Sequence, residues 1–86
     1  MYYTYLLYSP SHHRPYVGQT ENPLKRLERH NRRMVLSTRS YAPWVLLWSQ
    51  EFSTRGEAMK MEKWLKSGVG RVRVRELVVA AGYTDI

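Results

Sequence analysis

Eighty-six residues, 43% of them apolar, make one domain at most, with a modest core and little stability to spare. The absence of cysteine excludes disulfides, thiolate metal sites and a cysteine nucleophile, and no apolar run is long enough to span a membrane as a helix. Fourteen Lys and Arg against seven Asp and Glu give a net charge of +7, which favours a polyanion, most simply nucleic acid, over a basic surface that serves only solubility.

The positive charge is concentrated in two groups. Lys25, Arg26, Arg29, Arg32, Arg33 and Arg39 form one, and Lys60, Lys63, Lys66, Arg71, Arg73 and Arg75 the other. The chain begins Met-Tyr-Tyr-Thr-Tyr, with no basic stretch ahead of an apolar one. A secretory signal is therefore not expected, and a cytoplasmic location is the default.

Residues 2–8 and 14–19 read as a β-hairpin, because both are rich in Tyr, Val and Leu and flank the turn-forming Ser-Pro-Ser-His-His. Pairing Tyr5 with Tyr16 leaves an ordinary loop at 9–12 and puts both phenols on one face. A helix is expected from about Pro23 to Arg33, with Asn22 as N-cap and Pro23 in the first turn. Leu24, Leu27 and Asn31 follow helical spacing and form its expected core face. Arg26, His30 and Arg33 share another face, Arg26 and His30 being only ~40° apart around the axis. Residues 34–43 read as a loop. The run from Trp44 to Phe52 suits a strand covered on both sides.

Thr54 and Glu57 form a capping box, so a second helix should reach about Ser67. Its core stripe is Ala58, Met61 and Leu65, extending toward Val69, until Gly68-Val-Gly70 breaks it. Residues 71–81 alternate like a strand but also end at Gly82 like a helix. The helical reading gives the order β-β-α-β-α-α, an α+β fold in which three helices flank a small, three-stranded, mainly antiparallel sheet. The whole of 1–86 reads as one domain.

Glu62 is the sharpest anomaly. It lies ~40° from Ala58 and ~60° from Leu65 on the helical wheel, along the apolar stripe. A carboxylate there needs a cation or a hydrogen-bonding partner. Arg26 and His30, one turn apart, can act on one group. Gly18, at the end of a strand, allows a close approach. Only seven acidic residues exist and they are scattered, which suits one metal ion held by one carboxylate rather than a two-metal centre.

Taken together, the order of Tyr5, Tyr16-Val17-Gly18, Arg26 with His30, and a late Glu62 resembles the GIY-YIG nuclease superfamily. Tyr3-Thr4-Tyr5 stands at the first signature triplet, with Tyr3 for its glycine and Thr4 for its isoleucine. The two motif tyrosines are eleven residues apart, a family-like spacing. The resemblance covers roughly residues 2–67. It is nearest to small stand-alone members and to the N-terminal nuclease domain of the bacterial excision-repair nuclease. It also favours the third helix.

The resemblance implies a metal-dependent endonuclease that cuts nucleic acid, DNA rather than RNA, with no small-molecule cofactor. Glu62 would hold Mg²⁺ or Mn²⁺, and Arg26 would grip the scissile phosphate. Tyr5 would activate water and Tyr16 would position it. His30 would move a proton or bind a phosphate. Gly18, Arg29, Arg33, Thr38 and Arg39 are the expected substrate contacts. Cations near Tyr5 are expected to lower its pKa. The alternative is a nucleic-acid-binding module with the same fold and weak or no catalysis.

Overall fold

The computed structural model describes residues 1–84; the last two residues of the expected 1–86 domain lie outside it. The elements are β1 (Tyr2–Ser9), β2 (Arg14–Thr20), α1 (Pro23–Asn31), a single 3-10 turn (Arg39–Tyr41), β3 (Val45–Phe52), α2 (Arg55–Leu65) and α3 (Gly68–Ala80). The strands form one antiparallel sheet in the order β2-β1-β3. This is the expected α+β arrangement. The doubly covered strand is the central β1, not β3. Six consecutive β1 residues, Thr4 to Ser9, are buried, whereas β3 is an edge whose Ser49, Gln50 and Glu51 are exposed.

Alternation along β1 feeds two cores. Leu6 and Tyr8, with Val17 of β2, pack against Leu65, Val74 and Val78 from α2 and α3. Tyr5 and Leu7 point the other way, into Trp44, Tyr16, Leu27 and Leu46. The buried Thr4 hydroxyl donates to the Ala58 carbonyl at 2.7 Å, so a polar group tying β1 to α2 loses nothing by burial.

The helices begin where their caps require. Asn22 accepts from the Lys25 N–H ahead of Pro23, and Thr54 and Glu57 form a reciprocal capping box. The inward face of α1 is rotated from the expected one: Leu24 is 71% exposed, and Leu27 and the fully buried His30 face the sheet. Asn31 leaves the stripe altogether. Its amide donates to the Trp44 carbonyl at 3.0 Å and accepts from the Trp44 N–H, closing the 32–43 connection.

α2 stops at Leu65, and α3 starts three residues later with Ser67 as N-cap. The helix expected only from residue 71 thus begins at Gly68, and Val69 is 71% exposed rather than part of the α2 stripe. Gly70 permits the tight junction: a Cβ there would sit 1.8 Å from the Trp64 carbonyl oxygen. Among the described residues no helix is long and apolar enough to cross a membrane.

Candidate active site

The Tyr5 side chain lies between the sheet and α1, 1% exposed. Tyr5 pairs with Gly18, and Tyr16 pairs with Leu7, so the two tyrosines are diagonal neighbours rather than the direct pair expected. The register is slipped by two residues, which keeps every side chain on its face. It sets the turn at residues 10–13, with His13 in the left-handed region at φ 53. It also gives the Tyr5 phenol the one residue able to admit it. A Cβ on Gly18 would lie 2.6 Å from the Tyr5 hydroxyl and 2.7 Å from Cζ. The close approach expected at Gly18 is therefore made by the protein's own phenol.

The Tyr5 and Tyr16 rings stand 6.3 Å apart, and His30 lies 6.1 Å from the first and 5.0 Å from the second. His30 Nε2 is 3.1 Å from the Tyr5 hydroxyl, and its Nδ1 is 2.7 Å from Thr38 Oγ1. The Thr38 hydroxyl faces the Val35 carbonyl at 3.5 Å, and the Thr38 carbonyl accepts from Trp44 Nε1 at 3.1 Å. A proton on Nδ1 completes this chain: Nδ1 donates to Thr38, Thr38 to Val35, and Nε2 accepts from Tyr5.

Two of the expected site residues are buried. Thr38, expected as a substrate contact, is 1% exposed, and its hydroxyl meets His30. His30 has no exposed surface, and its Nε2 is turned to the Tyr5 hydroxyl.

Electrostatics sharpen the picture. Burial pushes the Tyr5 phenol up to about 12, against the opposing pull of Arg26 beside its hydroxyl. Burial outweighs the pull of Arg26 alone; the lowering expected from cations counted a divalent ion on Glu62 as well. Burial, followed by the cations of Arg26 and Arg29, holds His30 down to about 4, a neutral imidazole free to accept. The Glu62 charge also acts on the Tyr5 hydroxyl, raising its pKa.

Arg26 is half-buried, and its Nε is buried without a hydrogen-bond partner among the described residues. It opens into a cleft of about 420 Å³ shared with Lys25, Arg29 and Arg55. The sequence reading missed Arg55; as the first residue of α2 it carries no pattern of its own. Arg33 and Arg39 are exposed and do not line this cleft. Arg33 lies past the end of α1 in the left-handed region at φ 62, so it does not continue the Arg26 face.

Residues 1–74 match the family of the GIY-YIG catalytic domain. The chain belongs to that family. The GIY-YIG chain is also 41% identical over 58 residues to the structure-specific endonuclease subunit SLX1 homolog of Giardia intestinalis, a match covering 63% of this chain and 16% of that protein. It thus spans about a sixth of the curated relative's length.

Among the described residues of this GIY-YIG domain, no three His, Asp or Glu side chains are grouped to hold a metal. What the centre offers is one carboxylate. Glu62, its side chain 25% exposed, pairs with Lys66 at 2.8 Å. A single hard oxygen ligand suits Mg²⁺, which keeps several waters and takes substrate phosphate oxygens. A helical i,i+4 pair of this kind contributes only ~0.3–0.5 kcal/mol.

Proposed function

We propose that residues 1–86 form a single nuclease domain that hydrolyses phosphodiester bonds in DNA with Mg²⁺ or Mn²⁺. The observation that carries this reading is the convergence at the Tyr5 hydroxyl. His30 Nε2 stands 3.1 Å from it, the Tyr16 ring lies 6.3 Å from the Tyr5 ring, and Arg26, its Nε without a partner among the described residues, lies beside it. The preference for DNA follows the likeness to the excision-repair nuclease.

Arg26 grips a non-bridging phosphate oxygen and stabilises the charge that develops on it. A water held near Tyr5 and Tyr16 attacks the phosphorus. Its proton passes to the Tyr5 oxygen as the Tyr5 proton moves to His30 Nε2, so the phenol need not ionise first. Neutral His30 has the free Nε2 lone pair that this relay needs, and at about 4 it is a weak base that gives the proton up to solvent after the attack instead of keeping it. The 3′ oxygen departs and takes a proton from solvent, leaving 5′-phosphate and 3′-hydroxyl ends. Glu62 would hold the metal, which would supply Lewis-acid stabilisation of the leaving oxygen.

Nicking of a panel of DNA and RNA substrates with Mg²⁺ or Mn²⁺, measured beside binding, tests the reading. Glu62→Gln keeps size and loses charge; it should abolish cleavage and leave binding intact or tighter. Arg26→Ala should weaken both. Wild-type binding without cleavage of any substrate would favour a binding module. Equal cleavage by Glu62→Gln would remove the metal assignment.

A further inference from the structure

A second cleft opens on the outer edge of β2. Its floor is apolar, with Val17, Leu65 and Val74 6%, 2% and 4% exposed, and its rim carries Lys66, Arg71 and Arg75. We propose that this cleft binds an unpaired nucleotide of the DNA strand being cut, adjoining the scissile phosphate; the proposal rests on the nuclease reading above.

Position is the first argument. The Arg26 cleft includes Arg55, the first residue of α2, and the second cleft includes Leu65 and Lys66 at and just past its end. Eleven residues of helix separate them by about 15 Å. Glu62 lies between them on α2. The second cleft shares Tyr16 with the catalytic cluster, and Lys66 joins it to Glu62 through their 2.8 Å ion pair. A strand laid along β2 with its phosphate at Arg26 therefore passes Lys66 next.

Chemistry is the second argument. Arg71 and Arg75 sit one turn apart on α3 and pair with no acid among the described residues, whereas Arg73 on the same helix pairs with Glu76. A cationic rim alone would serve any duplex through its phosphates. An apolar floor serves only a base that is out of its stack, because paired bases keep their faces against each other. The cleft holds about 410 Å³, within the ~300–1,000 Å³ of ordinary small-ligand sites, room for one base and sugar.

The test uses the whole chain with Mg²⁺ and two DNA substrates, one carrying a single-stranded segment across the cut and one fully duplex. Abasic residues are placed singly at each of the positions flanking the cut, and the variant Arg71→Gln/Arg75→Gln is compared with wild type. On the single-stranded substrate, one abasic position should raise KM roughly 5- to 100-fold with kcat little changed, and the duplex should show no such position. The double variant should raise KM, lose the abasic response, and lower the salt slope by roughly 1.4–1.8.

Insensitivity to every abasic position, or an unchanged KM and salt slope in the variant, overturns the proposal. So does an RNA strand that binds more tightly with the same abasic response, since the occupant is then not DNA. Should wild type cut neither substrate, the nuclease reading fails on its own. Anisotropy of a labelled single-stranded oligonucleotide, with the same abasic positions and variant, then decides the cleft.

Discussion

Replacing Gly18 with alanine adds one methyl at the point where the fold and the chemistry touch. The new carbon would stand 2.6 Å from the Tyr5 hydroxyl, 2.7 Å from Cζ and 3.0 Å from Cε1. Reaching ordinary contact, 3.4 Å or more, requires a shift of about 0.8 Å. Tyr5 has nowhere to yield, being 1% exposed, rigid at its ring and bonded to His30 at 3.1 Å. Overpacking of this kind costs about 1–3 kcal/mol, which in a domain of this size lowers Tm by at least ~4 °C. A displacement approaching 1 Å at a reacting group costs on the order of 10²-fold in rate. The assay is thermal melting alongside nicking under single-turnover conditions, in wild type and Gly18→Ala. In a Tyr5→Phe background the alanine should still destabilise, because the ring carbon at 2.7 Å remains. A Gly18→Ala protein that melts and cuts like wild type would refute the argument that Tyr5 is held against this backbone.

Thr38→Val keeps shape but strands His30 Nδ1, so it should cost ~1–3 kcal/mol and slow cleavage without weakening binding; unchanged kcat would remove Thr38 from the site. An unfolded imidazole takes up a proton near pH 6.5, whereas folded His30 stays neutral down to about 4. The unfolded state therefore binds more protons between those values, and stability should fall as pH drops from 7 toward 4, by up to ~1.4 kcal/mol per unit. Urea melts at pH 7 and 5 read this directly, and equal midpoints would contradict it. Gly70→Ala drives a Cβ into the Trp64 carbonyl, backbone against backbone. It should destabilise by more than ~3 kcal/mol, and a melting temperature within two or three degrees of wild type would disprove the tight α2–α3 junction.

Features written in local chemistry were readable from the chain alone. Asn22-Pro23 and Thr54 with Glu57 mark helix starts because caps are satisfied within one turn of sequence. The element order followed, as did the family. What depended on long-range packing did not. The hairpin register turns on Gly18 admitting a phenol thirteen positions away, and a slip of two leaves the hydrophobic pattern identical. Leu24 and Val69 continue helical stripes on paper, yet one helix is rotated and the other has ended. Thr38 was read as a substrate contact; its bond to His30 could not be read because the two lie across a loop. Tyr5 was expected beside cations, and it is; the balance between Arg26 and burial is a question of depth, which spacing does not encode.

The two-sided alternation of β1 has a consequence for how this protein fails. Tyr5, Tyr16, His30 and Trp44 pack together in the core on one side of the sheet, and three of them are also proposed to handle the reaction. They are themselves the core of that side of the sheet, the other side being filled by Leu6, Tyr8, Val17, Leu65, Val74 and Val78. A larger enzyme can lose an active-site loop while its domain persists, since loops sit at the low end of local stability. Here Tyr5 and His30 are themselves core residues, 1% and 0% exposed, so activity and fold should vanish at the same denaturant concentration. Catalytic output would then report directly on the folded fraction.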